Sequence, residues 1–560
     1  SKRPPKELIS FFQNKVGDET TFIEPIEPSQ QDLVERESKH SKTFFIETLG
    51  CQMNVADSEV VAAILNGAGH TQTNDVEAAD IVFLNTCAIR EHAEEKALQR
   101  LRALRSLNQN NYAKVRLGKQ TADKKELWHE SKKTVGVLGC MAERMKEKLL
   151  EETKLVDIVA GPDAYRDLPR LIEVASGGQQ GINVQLSVDE TYADIVPVRA
   201  AGNHVGAFVS ITRGCNNMCA YCIVPFTRGR ERSRTAATIV QEVRALAQAG
   251  VKEIMLLGQN VNSYHDKSTQ IDTEADSYKI AEGFSDLYRL RHGGGTRFAD
   301  LLDMVASVDP EVRIRFTSPH PKDFTDDVLE VMAKHPNICK GIHLPAQSGS
   351  TNVLRTMRRG YSREAYLDLV HKIYAKLPNT EISSDFISGF CGETESDHKD
   401  TVSLLEEVGY AQAFMFAYSQ REKTHAHRKL IDDVPNEVKL RRLQEVISTY
   451  RAIAEKQAED QIGKIHLVLV EGPSKKDQSI WQGKTDGLRR CMFPPSPIID
   501  TKDASLLKRV LNNDQVTPTD IRSPKVGDYV VVHVNRATPS TLYTEVLAIT
   551  SLSTFAQLDK

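Results

Sequence analysis

The sequence predicts an α/β protein: an N-terminal parallel α/β domain, a partial (β/α)6 barrel and a small C-terminal β-barrel. Two patterns carry this reading. Across residues 43–450, short β-rich apolar runs alternate with polar, helix-like stretches, as in parallel strands joined by helical crossovers. Past residue 463 that alternation gives way to short strands and turns. A length of 560 residues fits roughly three or four domains. With 40% hydrophobic and 26% charged residues the chain has an ordinary globular composition. Its net charge of −4 excludes a chain that is basic overall, so nucleic-acid contact would need local patches.

The elements follow in order. Residues 1–42 are rich in Pro, Glu, Gln, Ser and Lys and read as a disordered arm, in which Leu8-Ile9-Ser10-Phe11-Phe12 could dock as a short helix. In 43–200, Phe44-Phe45-Ile46 leads to Gly50-Cys51, Ile81-Val82-Phe83-Leu84 to Thr86-Cys87, and Val135-Gly136-Val137-Leu138 to Gly139-Cys140. Parallel strands all point one way, so these three Cys are expected on one edge, where open α/β sheets bind ligands. The polar stretch 106–133 reads as an insertion in the second crossover.

In 201–462, strands are predicted at Ala207–Thr212, Glu253–Leu257, Arg313–Thr317, Gly341–Leu344, Ile382–Ile387 and Ala413–Tyr418. Helices are predicted at Thr238–Ala249, Phe298–Val308, Asp326–Lys334, Arg363–Lys376 and Glu395–Val408. The polar, Gly-rich stretch 266–296 breaks the pattern and reads as a surface loop or disordered insertion. Lys439–Gln461 reads as a connecting helix. In 463–560, Ile465–Val470, Trp481–Gly487 and Val526–Val532 are the clearest pieces of an all-β barrel.

Nine Cys is an odd number in a large chain, and they cluster in motifs; that points to metal ligands in a reducing compartment rather than to disulfides. No run of about 20 apolar residues occurs, so no membrane span is expected. The chain begins with Ser rather than Met, as expected if a leader had been removed, and the residues do not show its kind.

Cys215, Cys219 and Cys222 form a C-x3-C-x2-C motif on one tight loop. Four thiolates on a 4Fe–4S cluster make an electron carrier; three leave one iron open for substrate or cofactor. Zinc is the alternative, but zinc sites usually take two pairs of ligands, and no nearby Cys or His completes such a set. Three structural Cys on a polar Gly/Asn loop fit less well, because inert Cys are usually buried.

C-x3-C-x2-C after the first strand of a βα barrel resembles the radical S-adenosylmethionine (SAM) enzymes. The resemblance implies that Cys215, Cys219 and Cys222 ligate a cluster whose open iron binds SAM, and that SAM is cleaved to a 5′-deoxyadenosyl radical. Thr48-Leu49-Gly50-Cys51-Gln52-Met53-Asn54, Asn85-Thr86-Cys87-Ala88-Ile89-Arg90-Glu91 and Leu138-Gly139-Cys140-Met141-Ala142-Glu143 are similar to the N-terminal domain of methylthiotransferases. There Cys51, Cys87 and Cys140 would hold a second 4Fe–4S cluster, at whose open iron the transferred sulfur binds. Three free Cys capping parallel strands is the alternative; one alone would fit it, but three at matching positions beside a radical SAM motif do not. The resemblance spans residues 42–550 and orders the chain as auxiliary-cluster domain, radical SAM domain and TRAM β-barrel. Within the family, Gly-Cys-Gln-Met-Asn and Asn-Thr-Cys-Ala-Ile-Arg-Glu resemble the MiaB type, which modifies N6-isopentenyladenosine beside the tRNA anticodon.

Further motifs fall at strand ends. Gln259 and Asn260 in Leu257-Gly258-Gln259-Asn260 could hydrogen-bond SAM. Gln347 in His343-Leu344-Pro345-Ala346-Gln347 and Asp385 in Ser384-Asp385-Phe386-Ile387 match family stretches that line the SAM pocket; Asp385 could also be a buried structural carboxylate. The cluster loop continues into Arg228, Arg230, Arg232 and Arg234, read either as a solvated loop or as phosphate and substrate contacts. The last domain carries 13 Lys/Arg against 10 Asp/Glu, only mildly basic. Its RNA candidates are Lys475, Lys476, Arg489, Arg490 and Arg536; Phe493 could stack on a base or pack in the core. Where the bacterial family has a Pro-Arg-Pro-Gly-Thr-like run, this chain has Gln420-Arg421-Glu422-Lys423-Thr424. Cys339, Cys391 and Cys491 read as ordinary thiols.

The expected function is therefore methylthio transfer to C2 of isopentenyladenosine at tRNA position 37, with two 4Fe–4S clusters and SAM as both methyl and radical source. The expected partners are a tRNA anticodon stem-loop, held between the TRAM barrel and the N-terminal domain, and an unidentified electron donor. The arm and two insertions resemble animal mitochondrial members associated with a kinase regulatory subunit. That resemblance places the chain in the mitochondrion, with the cytoplasm as alternative, and adds such a subunit as a candidate partner. The chain is expected to act as a monomer. The alternatives are methylthiolation of threonylcarbamoyladenosine or of a ribosomal protein, and a non-catalytic kinase-regulatory adaptor.

Overall fold

The computed structural model describes residues 41–88, 91–118, 132–151, 156–199, 205–268, 280–285, 294–512, 514–515 and 520–558. Nearly all of the N-terminal arm lies outside these residues. Six parallel strands build the first domain, in the order Thr71–Gln72, Thr43–Leu49, Ile81–Thr86, Thr134–Gly139, Ile158–Ala160 and Gly181–Asn183. Leu49 pairs with Thr86, and Thr86 with Gly139, so three strands end in one row. Cys87 and Cys140 follow that row directly and Cys51 follows two residues on. Helices cover both faces, with Phe83 and Leu65 in one core and Leu84 and Leu101 in the other.

The expected insertion at 106–133 begins inside a helix. Glu91–Gly118 is one continuous helix, and Asn108 within it is buried, its Nδ2 donating to Lys133 O at 3.0 Å; residues 119–131 lie outside the described set.

The second domain contains two three-stranded parallel sheets. Gly206–Ser210, Glu253–Leu257 and Arg313–Phe316 form one; Gly341–His343, Glu381–Ser388 and Gln412–Ala417 form the other. A parallel bridge between Ile314 and Ile338 links them, giving six strands in chain order with an open side. Helices pack on the outer face against Ile254, Ile314, Ile382 and Phe386. Part of the predicted loop at 266–296 belongs to this body. His265–Asp266 pairs with Thr296–Arg297, closing the ends of the excursion. Phe284 is buried in the core, and Ser285 N donates to Gly360 O at 2.8 Å.

In the third domain a seven-stranded sheet closes where Arg490–Phe493 pairs with Thr541–Thr550. Phe493 is in its core, not on a base-stacking surface, because alternation along its strand points it inward with Cys491. No helix among the described residues is long and apolar enough to cross a membrane.

Side-chain alternation assigns the inner face of the half-open barrel. Ile314 and Phe316 face the outer helices, so Arg313 and Arg315 face inward. Their guanidiniums meet backbone carbonyls of the third domain: Arg313 with Lys484 O at 2.8 Å and Leu467 O at 2.7 Å, Arg315 with Thr485 O at 2.8 Å. The β-barrel thus docks on the inner face, near the starting ends of the strands. Arg489 is part of this dock through its ion pair with Glu381 at the start of the fifth strand. Higher on the first sheet, Leu257, Phe208 and Met255 pack against Met53 and Ala56 of the N-terminal domain. Both flanking domains therefore share one concave surface, which leaves the inner side of the second sheet the more open.

Candidate active site

The auxiliary triplet is assembled by an amide network written into the motifs around it. Asn54 Oδ1 accepts from Cys51 N at 3.2 Å, and Asn54 Nδ2 donates to Asn85 Oδ1 at 3.0 Å. Asn85 Nδ2 returns a bond to Asn54 O at 2.9 Å, and Thr86 Oγ1 donates to Leu138 O at 3.1 Å. The three Cys-bearing strand ends are thereby stitched together. Gly139 sits at φ 86°, and a Cβ there would meet Asn85 Oδ1 at 2.5 Å and Thr86 O at 2.7 Å, so glycine is required on conformational and steric grounds.

The environment of these thiols is electrically asymmetric. A hydrogen bond from Cys87 brings the Cys51 thiol down to about 6; burial opposes this, while Arg228 and the N–H groups of Asn54 and Met53 add to it. Burial pushes the Cys140 thiol up, partly offset by Arg228. Arg228 comes from the other domain. Its Nε donates to Cys140 Sγ at 3.1 Å and its Nη2 to Asp57 Oδ2 at 2.7 Å.

The second triplet lies on the loop after strand Gly206–Ser210. Gly214, at φ 75°, starts the turn, and a Cβ there would run into the carbonyl of Arg230. Gly214 N donates to Gln259 Oε1 at 2.6 Å, and Cys222 N to Cys219 O at 3.0 Å. Burial pushes the Cys215 thiol well up, followed by the charges of Glu231, Cys222 and Cys219. Burial likewise raises Cys222, to about 12, with Cys219 next. Thiols kept neutral by burial suit a site that gives up protons when a cationic group binds. Arg359, 5% exposed, donates to Cys219 Sγ at 3.4 Å, to Tyr361 Oη at 3.0 Å and to Pro345 O at 3.0 Å. Nothing in the sequence around Arg359 marked it.

Among the described residues, no three His, Cys, Asp or Glu side chains converge tightly enough to hold a single metal ion. A four-iron cluster asks for something else, one thiolate on each of separate irons. Six free thiols in two triplets, each with a buried guanidinium donating to one sulfur, form a donor set that fits two such clusters.

The chain matches the model of the Uncharacterized protein family UPF0004 over residues 43–161 and that of the Radical SAM superfamily over 209–405. A CDK5RAP1-like protein of Oryza sativa subsp. japonica is 50% identical over 95% of this chain and 85% of its own length. The Mitochondrial tRNA methylthiotransferase CDK5RAP1 of Homo sapiens is 49% identical over 91% and 82%. The tRNA-2-methylthio-N(6)-dimethylallyladenosine synthase of Chloroherpeton thalassium is 44% identical over 89% and 94%. The chain belongs to the MiaB-type methylthiotransferase family.

In this methylthiotransferase-family chain the predicted site residues have different fates. Asp385 lies on the inner face, half-buried, 3.3 Å from His343 Nε2. Gln347 is brought beside it: Gln347 N donates to Asp385 O at 2.9 Å, and its φ of 71° is the kind of backbone outlier that gathers at functional sites. Gln259 braces the Cys215 loop through its acceptor oxygen. Asn260 departs from the expectation of SAM contact. Its Nδ2 donates to Asp323 at 2.8 Å and its Oδ1 accepts from His320 N at 3.2 Å, so the buried amide clamps two loops.

The arginine run is also corrected. Arg228 and Arg232 are buried, not presented to phosphate, because carboxylates of the N-terminal domain pair with them. Arg232 forks onto Asp163 with both bonds at 3.0 Å. Asp57, fully buried, bridges Arg228 and Arg213, the latter at 2.8 Å. Arg489, predicted to touch RNA, is spent on Glu381. Arg230, Lys475, Lys476 and Arg490 are exposed, and Arg536 lies over the Tyr543 ring at 3.9 Å. Cys339, Cys391 and Cys491 are buried thiols, and Cys391 packs in one core cluster with Ala220 of the radical-cluster loop.

The Gln420–Thr424 departure has a local consequence. Lys423 stands where the family run has Gly and adopts φ 71°; Thr424 then caps helix His425–Lys429, its Oγ1 accepting from His427 N at 3.2 Å. A left-handed non-glycine residue costs about 1–2 kcal/mol. Lys423→Gly is therefore expected to raise the thermal midpoint while leaving iron content unchanged.

Proposed function

We propose that this chain is a tRNA methylthiotransferase that converts N6-isopentenyladenosine at tRNA position 37 to its 2-methylthio derivative. The observation that carries the reading is the apposition of two three-Cys sites across one domain contact, where helix Cys140–Met145 packs against helix Val224–Thr227. Relatives that match nearly the whole chain bear the names of this activity. Cys51, Cys87 and Cys140 would ligate one 4Fe–4S cluster, and Cys215, Cys219 and Cys222 the other. When bound, the clusters and SAM supply the electron, the radical and the sulfur.

The chain's own residues have positional tasks. Cys51 and Cys222 are the less buried members of their triplets. Asp385 and Gln347 would hold SAM beside the cluster loop that Gln259 braces. Phe414 and Phe416, 37% and 38% exposed on the inner face of the last strand, would wall the base. Arg230, Lys475 and Arg490 would meet tRNA phosphates, with the anticodon stem-loop between the third domain and the first. Holding both clusters across one domain contact would let radical and sulfur meet before either is quenched. An electron donor is a required partner. Action as a monomer and mitochondrial placement belong to the same proposal, the latter resting on relatives named as mitochondrial. A kinase regulatory subunit is a further candidate partner.

Anaerobically reconstituted protein given SAM, reductant and isopentenylated tRNA is expected to release 5′-deoxyadenosine and form methylthio-isopentenyladenosine, read by nucleoside mass spectrometry. Methylthiolation only of threonylcarbamoyladenosine tRNA would overturn the substrate. No 5′-deoxyadenosine at all would overturn the enzyme.

A further inference from the structure

Arg228 occupies an unusual position. In sequence it belongs to the radical-cluster loop, six residues past Cys222. In space it belongs to the other triplet. It caps the short helix Val224–Thr227, crosses the domain contact and donates to Cys140 Sγ at 3.1 Å. Its Nη2 is anchored on Asp57 at 2.7 Å, so the guanidinium plane is fixed. Its Nη1 is buried and has no hydrogen-bond partner among the described residues. A buried guanidinium N–H without an acceptor is costly; seven other arginine nitrogens among the described residues share that state, and what sets this one apart is its place beside Cys140.

The charge balance points the same way. Asp57 is shared between Arg213 and Arg228, and Glu190 lies 3.6 Å from Arg213. Two carboxylates thus face two guanidiniums before the Cys sulfurs are counted. Three thiolates and the sulfides of a cluster add negative charge beside Arg228, where the orphaned N–H can meet it. Hydrogen bonds to cluster sulfurs and local charge set iron–sulfur reduction potentials, and a donor or cation favours the more negative, reduced state.

We propose that Arg228 is a positioning residue of the auxiliary site: delivered by the radical-cluster loop, it donates to a ligand sulfur and to the sulfur-rich face of the cluster and raises its reduction potential. This rests on the two-cluster reading above. Nothing is bonded or broken; the effect is on how readily the auxiliary cluster accepts an electron beside the radical site.

The test uses the full chain with Cys215, Cys219 and Cys222 all changed to Ala, so that only the auxiliary cluster remains. Iron is counted first. Retention of about four irons sustains the two-cluster reading, and their absence overturns that reading and this inference with it. The midpoint potential is then titrated by electron paramagnetic resonance with and without Arg228→Met. The expected result is a more negative midpoint, with the reduced-to-oxidised ratio at fixed potential falling about tenfold, which is about 59 mV for one electron. An unchanged midpoint at full iron content overturns the inference, because a purely structural arginine would alter stability and leave the potential alone. Should Arg228→Met fail to hold iron, Arg228→Lys is expected to shift the midpoint in the same direction by less, and no shift overturns the inference. A third measurement needs no change at Arg228. Arginine labelled with heavy nitrogen is expected to show hyperfine coupling to the reduced auxiliary cluster, and absence of coupling overturns the proposal.

Discussion

Changing Cys51, Cys87 and Cys140 together to alanine is expected to abolish methylthio transfer, by on the order of 10⁴-fold or more, while 5′-deoxyadenosine formation continues. The reason is spatial. The radical triplet is built within its own domain: its loop is braced by Gln259, and Arg359 donates to Cys219 Sγ. Neither contact passes through the auxiliary Cys. Changing Cys215, Cys219 and Cys222 instead is expected to remove both products, since no radical is then made. The two variants therefore separate the reaction into halves. Chromatography of 5′-deoxyadenosine and nucleoside mass spectrometry, run on the same samples, read them out. Loss of 5′-deoxyadenosine in the first variant would contradict this division of labour.

Asp57→Ala is expected to destabilise the protein by about 3–5 kcal/mol, because it strands two buried guanidiniums at once. Burial by itself would raise the Asp57 carboxyl, but the charges and hydrogen bonds of Arg228 and Arg213 prevail and hold it below the usual carboxylate range. A depressed folded-state value means that this contribution is present above the unfolded value, about pH 3.9, and is lost as pH falls through the lower folded value. The thermal midpoint of the wild type should therefore fall on acidification below about pH 4. That of Asp57→Ala should start lower and lack this component. Equal midpoints for the two proteins at neutral pH would show that the bridge does not hold the domains.

How much of this was legible depends on range. Cys51, Cys87 and Cys140 could be placed on one edge because parallel strands impose a common direction, and the row Leu49–Thr86–Gly139 is that rule realised. The helices Asp326–Lys334, Arg363–Lys376 and Glu395–Val408 were equally visible, with Ser362 and Thr394 capping the latter two. Arg228 and Arg232 were misread because a polar, Arg-rich loop looks the same in sequence whether it meets water or the carboxylates of another domain. Asp57 and Asp163, which decide the matter, are 171 and 69 residues away respectively, and only docking brings them in. The same holds for Arg489, whose partner Glu381 starts a strand of another domain. Asn260 was misassigned for a different reason: a strand-end amide fits a ligand or a loop clamp equally well, and Asp323 and His320 claim it. No local pattern encodes the seat of the β-barrel on the inner face, because Arg313 and Arg315 read simply as strand residues until Lys484 and Thr485 lie opposite them.

The proposed chemistry requires a four-iron cluster on each of the two triplets. Iron and acid-labile sulfide per chain test it most directly, in the reconstituted wild type and in the two triple-alanine variants. Two such clusters give about eight irons in the wild type and about four in each variant. About four irons in the wild type, with one triple variant unchanged, would contradict it.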